Sequence, residues 1–126
     1  MHKYRDLKVW QRAMAFTLAV YHETQTWPGD ERFGLISQIR RASSSIPLNV
    51  AEGAGSSSNK EFRRFLEIAL RSTYETMTAL EIASGLAMIS AERGRELLSH
   101  ADEIAAMLVG LMKTLGWKST LRSNHA

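Results

Sequence analysis

Ser58-Asn59-Lys60-Glu61-Phe62-Arg63-Arg64-Phe65-Leu66 is the stretch on which the fold turns. A serine followed three residues later by glutamate is a capping box, whose side chains meet the backbone N–H groups left free at a helix start. Beyond it, Phe62, Phe65, Leu66, Ala69, Thr73, Met77, Leu80, Ala83 and Ala87 recur at helical spacing. They predict a helix over 59–88 with one face in a core.

Upstream, Gly53-Ala54-Gly55-Ser56-Ser57 reads as a short flexible connection. Before it, Ile36, Ile39, Ser43, Ile46 and Val50 share one face of a helix over 31–54. Asp30 is its expected N-cap, and Glu31 sits near the positive end of the dipole. Pro47 falls inside this pattern. It lacks an N–H and crowds the carbonyl of Ser43, so a kink is expected there, with Ser43, Ser44 and Ser45 placed to meet the freed carbonyl. The alternative is two shorter helices broken near Ile46.

A first helix is expected over 7–26, with Asp6 as N-cap and Trp27-Pro28-Gly29 as its stop. Its stripe is Trp10, Ala13, Met14, Thr17 and Tyr21, with Val9, Phe16 and Val20 beside it. At the other end, Ser90 caps a helix over 91–115 carrying Leu97, Ala101, Ile104, Leu108, Leu111 and Leu115. Gly116 is its expected stop, Trp117 is expected to fold back, and 118–126 reads as a frayed polar tail. No strand-like alternation appears. The fold class is therefore all-α, a single domain over 1–126 built as an antiparallel up-down-up-down four-helix bundle.

Composition fits this reading. The chain has 126 residues, 44% hydrophobic and 23% charged, enough for one core and unlike a disordered chain. It has no cysteine, which excludes disulfides, thiolate metal sites and a thiol nucleophile. No apolar run approaches the length of about eighteen residues that a membrane span needs. The N-terminus lacks the apolar core of a signal peptide, so a cytoplasmic location without membrane attachment is expected.

Charge is uneven. Residues 1–71 hold eleven basic and seven acidic side chains; the remainder hold five and six. A basic half points to an anionic partner. On the third helix, Lys60, Arg64 and Arg71 fall in one outward sector with Arg63 at its border and Glu67 within it. Arg40 and Arg41 add two cations on the second helix. These six are the candidate nucleic-acid contacts. The same residues also suit a solvated helix face. A second stripe on the third helix, Ile68, Ser72, Glu75, Ala79 and Ile82, lies away from the expected core and predicts a subunit interface.

No catalytic constellation is legible. The histidines (His2, His22, His100, His125) lack metal-ligand spacing, and the serine clusters have no nearby base. Glu52-Gly53-Ala54-Gly55 lacks the context of a phosphate loop. No metal, cofactor or enzymatic activity is expected. Asn49, Glu52 and Glu75 flank apolar faces, with Glu52 expected to pair with an arginine of another helix or subunit.

Several blocks carry a resemblance: Asp6-Leu7-x-Val9-Trp10-Gln11, Tyr21 leading to Pro28, Phe33-Gly34-Leu35-x-x-Gln38-Ile39-Arg40-Arg41-Ala42, and Ser45-Ile46-Pro47-x-Asn49-x-Ala51-Glu52-Gly53. Glu61-Phe62-x-x-Phe65-Leu66-x-Ile68-Ala69, Ser72 and Glu75 follow. From Tyr4 to Trp117 the chain resembles the small bacterial four-helix-bundle family encoded in intervening sequences of 23S ribosomal RNA genes. It departs at Arg71, where the family often has glycine, and at Ser56, where it often has a basic residue. The related accessory proteins of diversity-generating retroelements form pentamers that bind nucleic acid and a reverse transcriptase. The resemblance implies a ring-like homopentamer, with Pro47, Asn49, Glu52 and Gly53 as a structural motif. The expected function is a non-enzymatic, self-associating bundle that binds RNA or DNA, or a complex containing it, through a basic surface. The rival reading is a scaffold or accessory subunit that docks a protein partner without touching nucleic acid.

Overall fold

The computed structural model describes residues 1–118. Its elements are a 3-10 turn over Tyr4–Asp6, α1 (Lys8–Thr24), a 3-10 turn over Gly29–Glu31, α2 (Leu35–Ala54), α3 (Asn59–Gly85) and α4 (Ala91–Thr114). The expected tail over 118–126 lies outside the described residues, apart from the exposed Lys118. No described helix is long and apolar enough to cross a membrane.

The helices neighbour one another in a closed cycle, α1–α2–α3–α4–α1. Cross-helix pairs set their directions. Thr17 meets Ser43 and Thr24 meets Arg40 between α1 and α2. Ser45 meets Ser72 and Gln38 meets Glu75 between α2 and α3. Arg63 reaches Leu115 and Gly94 lies against Ser84 between α3 and α4, while Arg12–Glu103 and Glu23–Arg93 join α1 to α4. In every case residue numbers rise along one helix as they fall along its neighbour, so neighbours run in opposite directions.

Capping explains most boundaries. Ser58 Oγ accepts the Glu61 N–H at 3.1 Å, and Ser90 Oγ accepts the Arg93 N–H at 3.1 Å. Glu61 does not close its half of the box; its carboxylate takes two hydrogen bonds from Arg64 instead. Two expected caps are corrected. Asp6 lies within a 3-10 turn and leaves the start of α1 to Leu7, which makes no side-chain cap. Asp30 also falls in a 3-10 turn, and α2 starts only at Leu35, where Glu31 Oε1 accepts the Leu35 N–H at 3.1 Å.

Both α3 and α4 end in Schellman motifs. At the end of α4, Trp117 N–H bonds Met112 O at 2.9 Å, and Gly116 N–H bonds Lys113 O at 3.1 Å. Gly116 carries the left-handed φ of +90°. At the end of α3, Met88 N–H bonds Ala83 O and Ala87 N–H bonds Ser84 O, but an alanine occupies the left-handed position, with φ +59°. This explains why the helix stops at Gly85, short of the expected 88. A β-carbon costs roughly 1–2 kcal/mol in that conformation. Ala87→Gly is therefore expected to raise unfolding free energy by about 1 kcal/mol, read as a higher urea midpoint at unchanged slope.

α2 runs unbroken through Pro47. The expected local rescue of the Ser43 carbonyl is corrected: Ser43 Oγ and Ser44 Oγ bond the carbonyls of Arg40 and Arg41. The Ser43 carbonyl instead faces Thr17 Oγ1 of α1 at 3.0 Å, a hydroxyl that also reaches the Ala13 carbonyl at 2.8 Å and shares its proton between the two; Thr17 and Ser43 are both buried. α2 and α3 approach closely through small residues. A β-carbon on Gly53 would fall 2.8 Å from Phe65 Cβ and 2.9 Å from Phe62 Cδ1, inside contact distance. The motif glycine is thus the place where two helices nearly touch.

The core centre differs from the expected stripes in two places. On α1, Val9, Ala13, Phe16, Thr17 and Val20 are buried, while Trp10 and Met14 are only partly so and Tyr21 is exposed. On α3, Ser72 and Ala79 are buried rather than free for a partner, and Ser72 Oγ donates to Ser45 Oγ of α2 at 2.9 Å. These two leave the expected interface stripe. Ile68, Glu75 and Ile82 stay at or near the surface, and Ile82 is 48% exposed.

Candidate nucleic-acid interface

Of the six candidate cations, two do internal structural work. Arg40 Nε donates to Thr24 Oγ1 at 2.8 Å, and Nη2 donates to Tyr21 O at 3.3 Å. Its guanidinium lies 4.9 Å from the Tyr21 ring centroid. Arg40 therefore closes the C-terminal end of α1, where carbonyls lack helical partners and a cation suits the dipole. Arg63 does the same for α4: Nη1 donates to the Leu115 carbonyl. Both contacts join residues distant in sequence, so neither was visible in the local pattern.

The other four face outward. Lys60, Arg64 and Arg71 are exposed on α3, in the sector opposite the buried Phe62, Ala69 and Leu80. Arg64 is occupied in part, with Nη2 2.6 Å from Glu61 Oε1 and its guanidinium 4.5 Å from the Phe65 ring. That pair is solvated and contributes little to stability. Lys60 and Arg71 have no ion pair among the described residues. The arrangement is a ridge of three cations along the first half of α3, interrupted by the half-buried Glu67.

Arg41 stands apart on α2. It borders a polar groove between α2 and α3 that also includes Gln38, Ser45, Ser72 and Glu75. Here several motif residues converge. Asn49 Nδ2 donates to Ser45 O at 2.8 Å and to Ser45 Oγ at 2.9 Å, extending the Ser72–Ser45 link. Gln38 Nε2 reaches Glu75 Oε2 at 3.4 Å. Glu52 is exposed and makes no ion pair among the described residues, so the expected pairing with an arginine of another helix is not formed within the chain.

On the far side of α2, Arg41 also borders a cleft with Tyr21, Arg32, Phe33 and Arg40. Sequence reasoning missed Arg32 and Phe33, which lie in the turn before α2, outside any periodic pattern. Next to it, an apolar cleft of about 360 Å³ lies between α1 and α2, lined by Tyr4, Trp10, Met14, Pro47 and Leu48 among others. Among the described residues, no group of three or more His, Asp or Glu gathers in a way that holds a metal.

The comparisons agree with this architecture. No curated protein matches the chain. The structure is similar to the crystal structure of a protein of unknown function from the S23 ribosomal protein family of Bacteroides thetaiotaomicron. The TM-score is 0.78 at 24% identity, over 83% of this chain and 95% of that one. This likeness establishes the fold. The sequence profile of the 23S rRNA-intervening sequence protein family matches residues 5–110, which takes in all of α1, α2 and α3 and most of α4. The chain belongs to the 23S rRNA-intervening sequence protein family.

Proposed function

We propose that this protein is a non-enzymatic, self-associating bundle that binds RNA along the outer ridge of α3. The observation that carries the reading is the ridge itself: Lys60, Arg64 and Arg71 exposed in one sector, two of them without an ion-pair partner among the described residues. Guanidinium and ammonium groups so placed contact phosphates and carry no base preference. Self-association through Ile68, Glu75 and Ile82 belongs to the same reading, with the pentameric ring as the expected form and the cytoplasm as its place. Repeating the ridge on each subunit raises avidity without new contacts.

The test is RNA binding by fluorescence anisotropy across salt. Three phosphate contacts on a single strand give a log–log slope near −2, or about a twentyfold loss of affinity between 50 and 200 mM salt. The triple variant Lys60→Ala, Arg64→Ala, Arg71→Ala is expected to flatten that slope by about 2 while folding normally. An unchanged slope in the triple variant removes the ridge from the interface.

A protein-docking scaffold is the second reading. The exposure of Leu18 and Leu48 on the α1–α2 side favours it. RNA binding that is absent at low salt would make it the primary one.

A further inference from the structure

Phe33 is 91% exposed, the most exposed aromatic side chain among the large hydrophobics of the surface. Single exposed apolar residues are ordinary. This one rims a cleft of about 570 Å³, within the range of small-ligand sites. Tyr21, 40% exposed, stands in the same cleft. So do Arg32, Arg40 and Arg41, and no carboxylate lines it. The nearest acidic residue in sequence, Glu31, is turned to the Leu35 N–H at the start of α2.

The chemistry of this cleft is therefore aromatic and cationic together. Arg40 is held in place by Thr24 and the Tyr21 carbonyl, so one positive charge is fixed before any ligand arrives. Arg32 and Arg41 are exposed and make no ion pair among the described residues. An open aromatic face beside free guanidinium groups suits an anion that carries a flat ring. We propose that the cleft between the α1–α2 turn and α2 binds an unpaired nucleotide, its base against the open face of Phe33 and its phosphate at Arg32 and Arg41. Base stacking on aromatic side chains, with arginine on the phosphate, is the usual means of holding single strands.

The neighbouring cleft along α1 and α2 sharpens the choice of ligand. Tyr4, Trp10, Met14 and Leu48 line it without any cation, so it offers nothing to a phosphate. The cleft at Phe33 differs by its three arginines. Arg41 also borders the α2–α3 groove beside Ser72, the residue that follows Arg71. Arg41 is the single cation of that groove, which also holds the Glu75 carboxylate, so the cleft at Phe33 is a site separate from the α3 ridge. The inference rests on the RNA-binding reading and adds to it a preference for unpaired bases.

The experiment uses the full chain and three labelled probes at 50 mM salt: a twelve-nucleotide oligoadenylate, its abasic counterpart, and its duplex with oligouridylate. Phe33→Ala is expected to weaken oligoadenylate binding by about five- to a hundredfold. Abasic and duplex affinities stay within about twofold, because phosphate contacts are intact. Phe33→Trp retains oligoadenylate binding and its added tryptophan emission is quenched on binding. Phe33 is solvent-exposed, so the variants keep the parent melting temperature. Oligoadenylate affinity unchanged in Phe33→Ala, or equal losses for all three probes, overturns the cleft. If the abasic strand still binds in a salt-dependent way, the ridge reading survives that failure. If no probe binds, both readings fall and the cleft passes to a protein partner.

Discussion

Phe62→Ala is expected to lower unfolding free energy by about 3–5 kcal/mol, the usual cost of emptying a buried phenylalanine site. Phe62 is 2% exposed at the first turn of α3, where α2 ends and α3 begins. Its ring lies 5.1 Å from that of His2, whose backbone N–H donates to the Ala54 carbonyl at 2.8 Å. One side chain therefore organises the end of α2, the start of α3 and the N-terminal segment. Truncation leaves a void that the Gly53 backbone has no side chain to fill. The same contact makes a second, coupled expectation. Gly53→Ala gains up to about 1 kcal/mol of helix propensity but overpacks the approach to Phe62 and Phe65, for a net loss of about 1 kcal/mol. In the Phe62→Ala background this loss shrinks without vanishing, because Phe65 Cβ sits 2.8 Å from the added carbon and is tied to its own backbone. Urea titrations at fixed protein concentration measure all three, since subunit association adds to apparent stability. A Phe62→Ala midpoint within about 1 kcal/mol of the parent contradicts the packing described.

The second large effect concerns a missing donor. Thr17→Val is expected to cost about 1–3 kcal/mol, although it is nearly isosteric, because it leaves a buried carbonyl without a partner. Pro47 has no N–H to offer the Ser43 carbonyl, and Thr17 Oγ1 lies 3.0 Å from it, sharing its one proton between that carbonyl and the Ala13 carbonyl of its own helix at 2.8 Å. Thr17→Ser keeps the hydroxyl and should lose well under half as much. Pro47→Ala returns a backbone N–H to α2, so the cost of Thr17→Val falls in that background. The coupling in this double-mutant cycle, roughly 1 kcal/mol, isolates the interaction. Additive losses would mean that Thr17 acts through packing or through its own-helix bond to Ala13, and not on the Ser43 carbonyl.

What could be read from sequence was local. Ser58, Ser90 and Gly116 were legible because a cap depends on its own next few residues. Asp6 and Asp30 carry the same chemistry, yet 3-10 turns place the helix starts further along. Ser72 and Ala79 misled for a different reason. Small residues weigh little in a hydrophobic pattern, but they are what lets α2 and α3 come close, so the true core centre sits nearer to them than the large side chains suggest. Trp10 and Met14 erred the other way: large and apolar, they line a surface cleft. Among the candidate cations, Lys60, Arg64 and Arg71 were placed by helical period alone. Arg40 and Arg63 serve helix ends 16 and 52 residues away, and no local rule reaches that far. Phe33 and Arg32 sit in a turn without period, which hid the cleft they border.

The α1–α4 seam has a consequence for how the chain reaches this structure. α2 and α3 are joined by a short link and meet through small residues, so they can pair early with little loop entropy lost. The α1–α4 seam instead joins the two ends of the sequence; its Arg93–Glu23 bridge spans 70 residues. It must close late, and its bridging carboxylates and guanidinium groups are partly solvated. In native-state amide exchange, α1 and α4 should open before the α2–α3 hairpin, and added salt should hasten that opening. The hairpin that forms first also carries the cationic ridge, so a nascent chain would present that ridge before its bundle is shut.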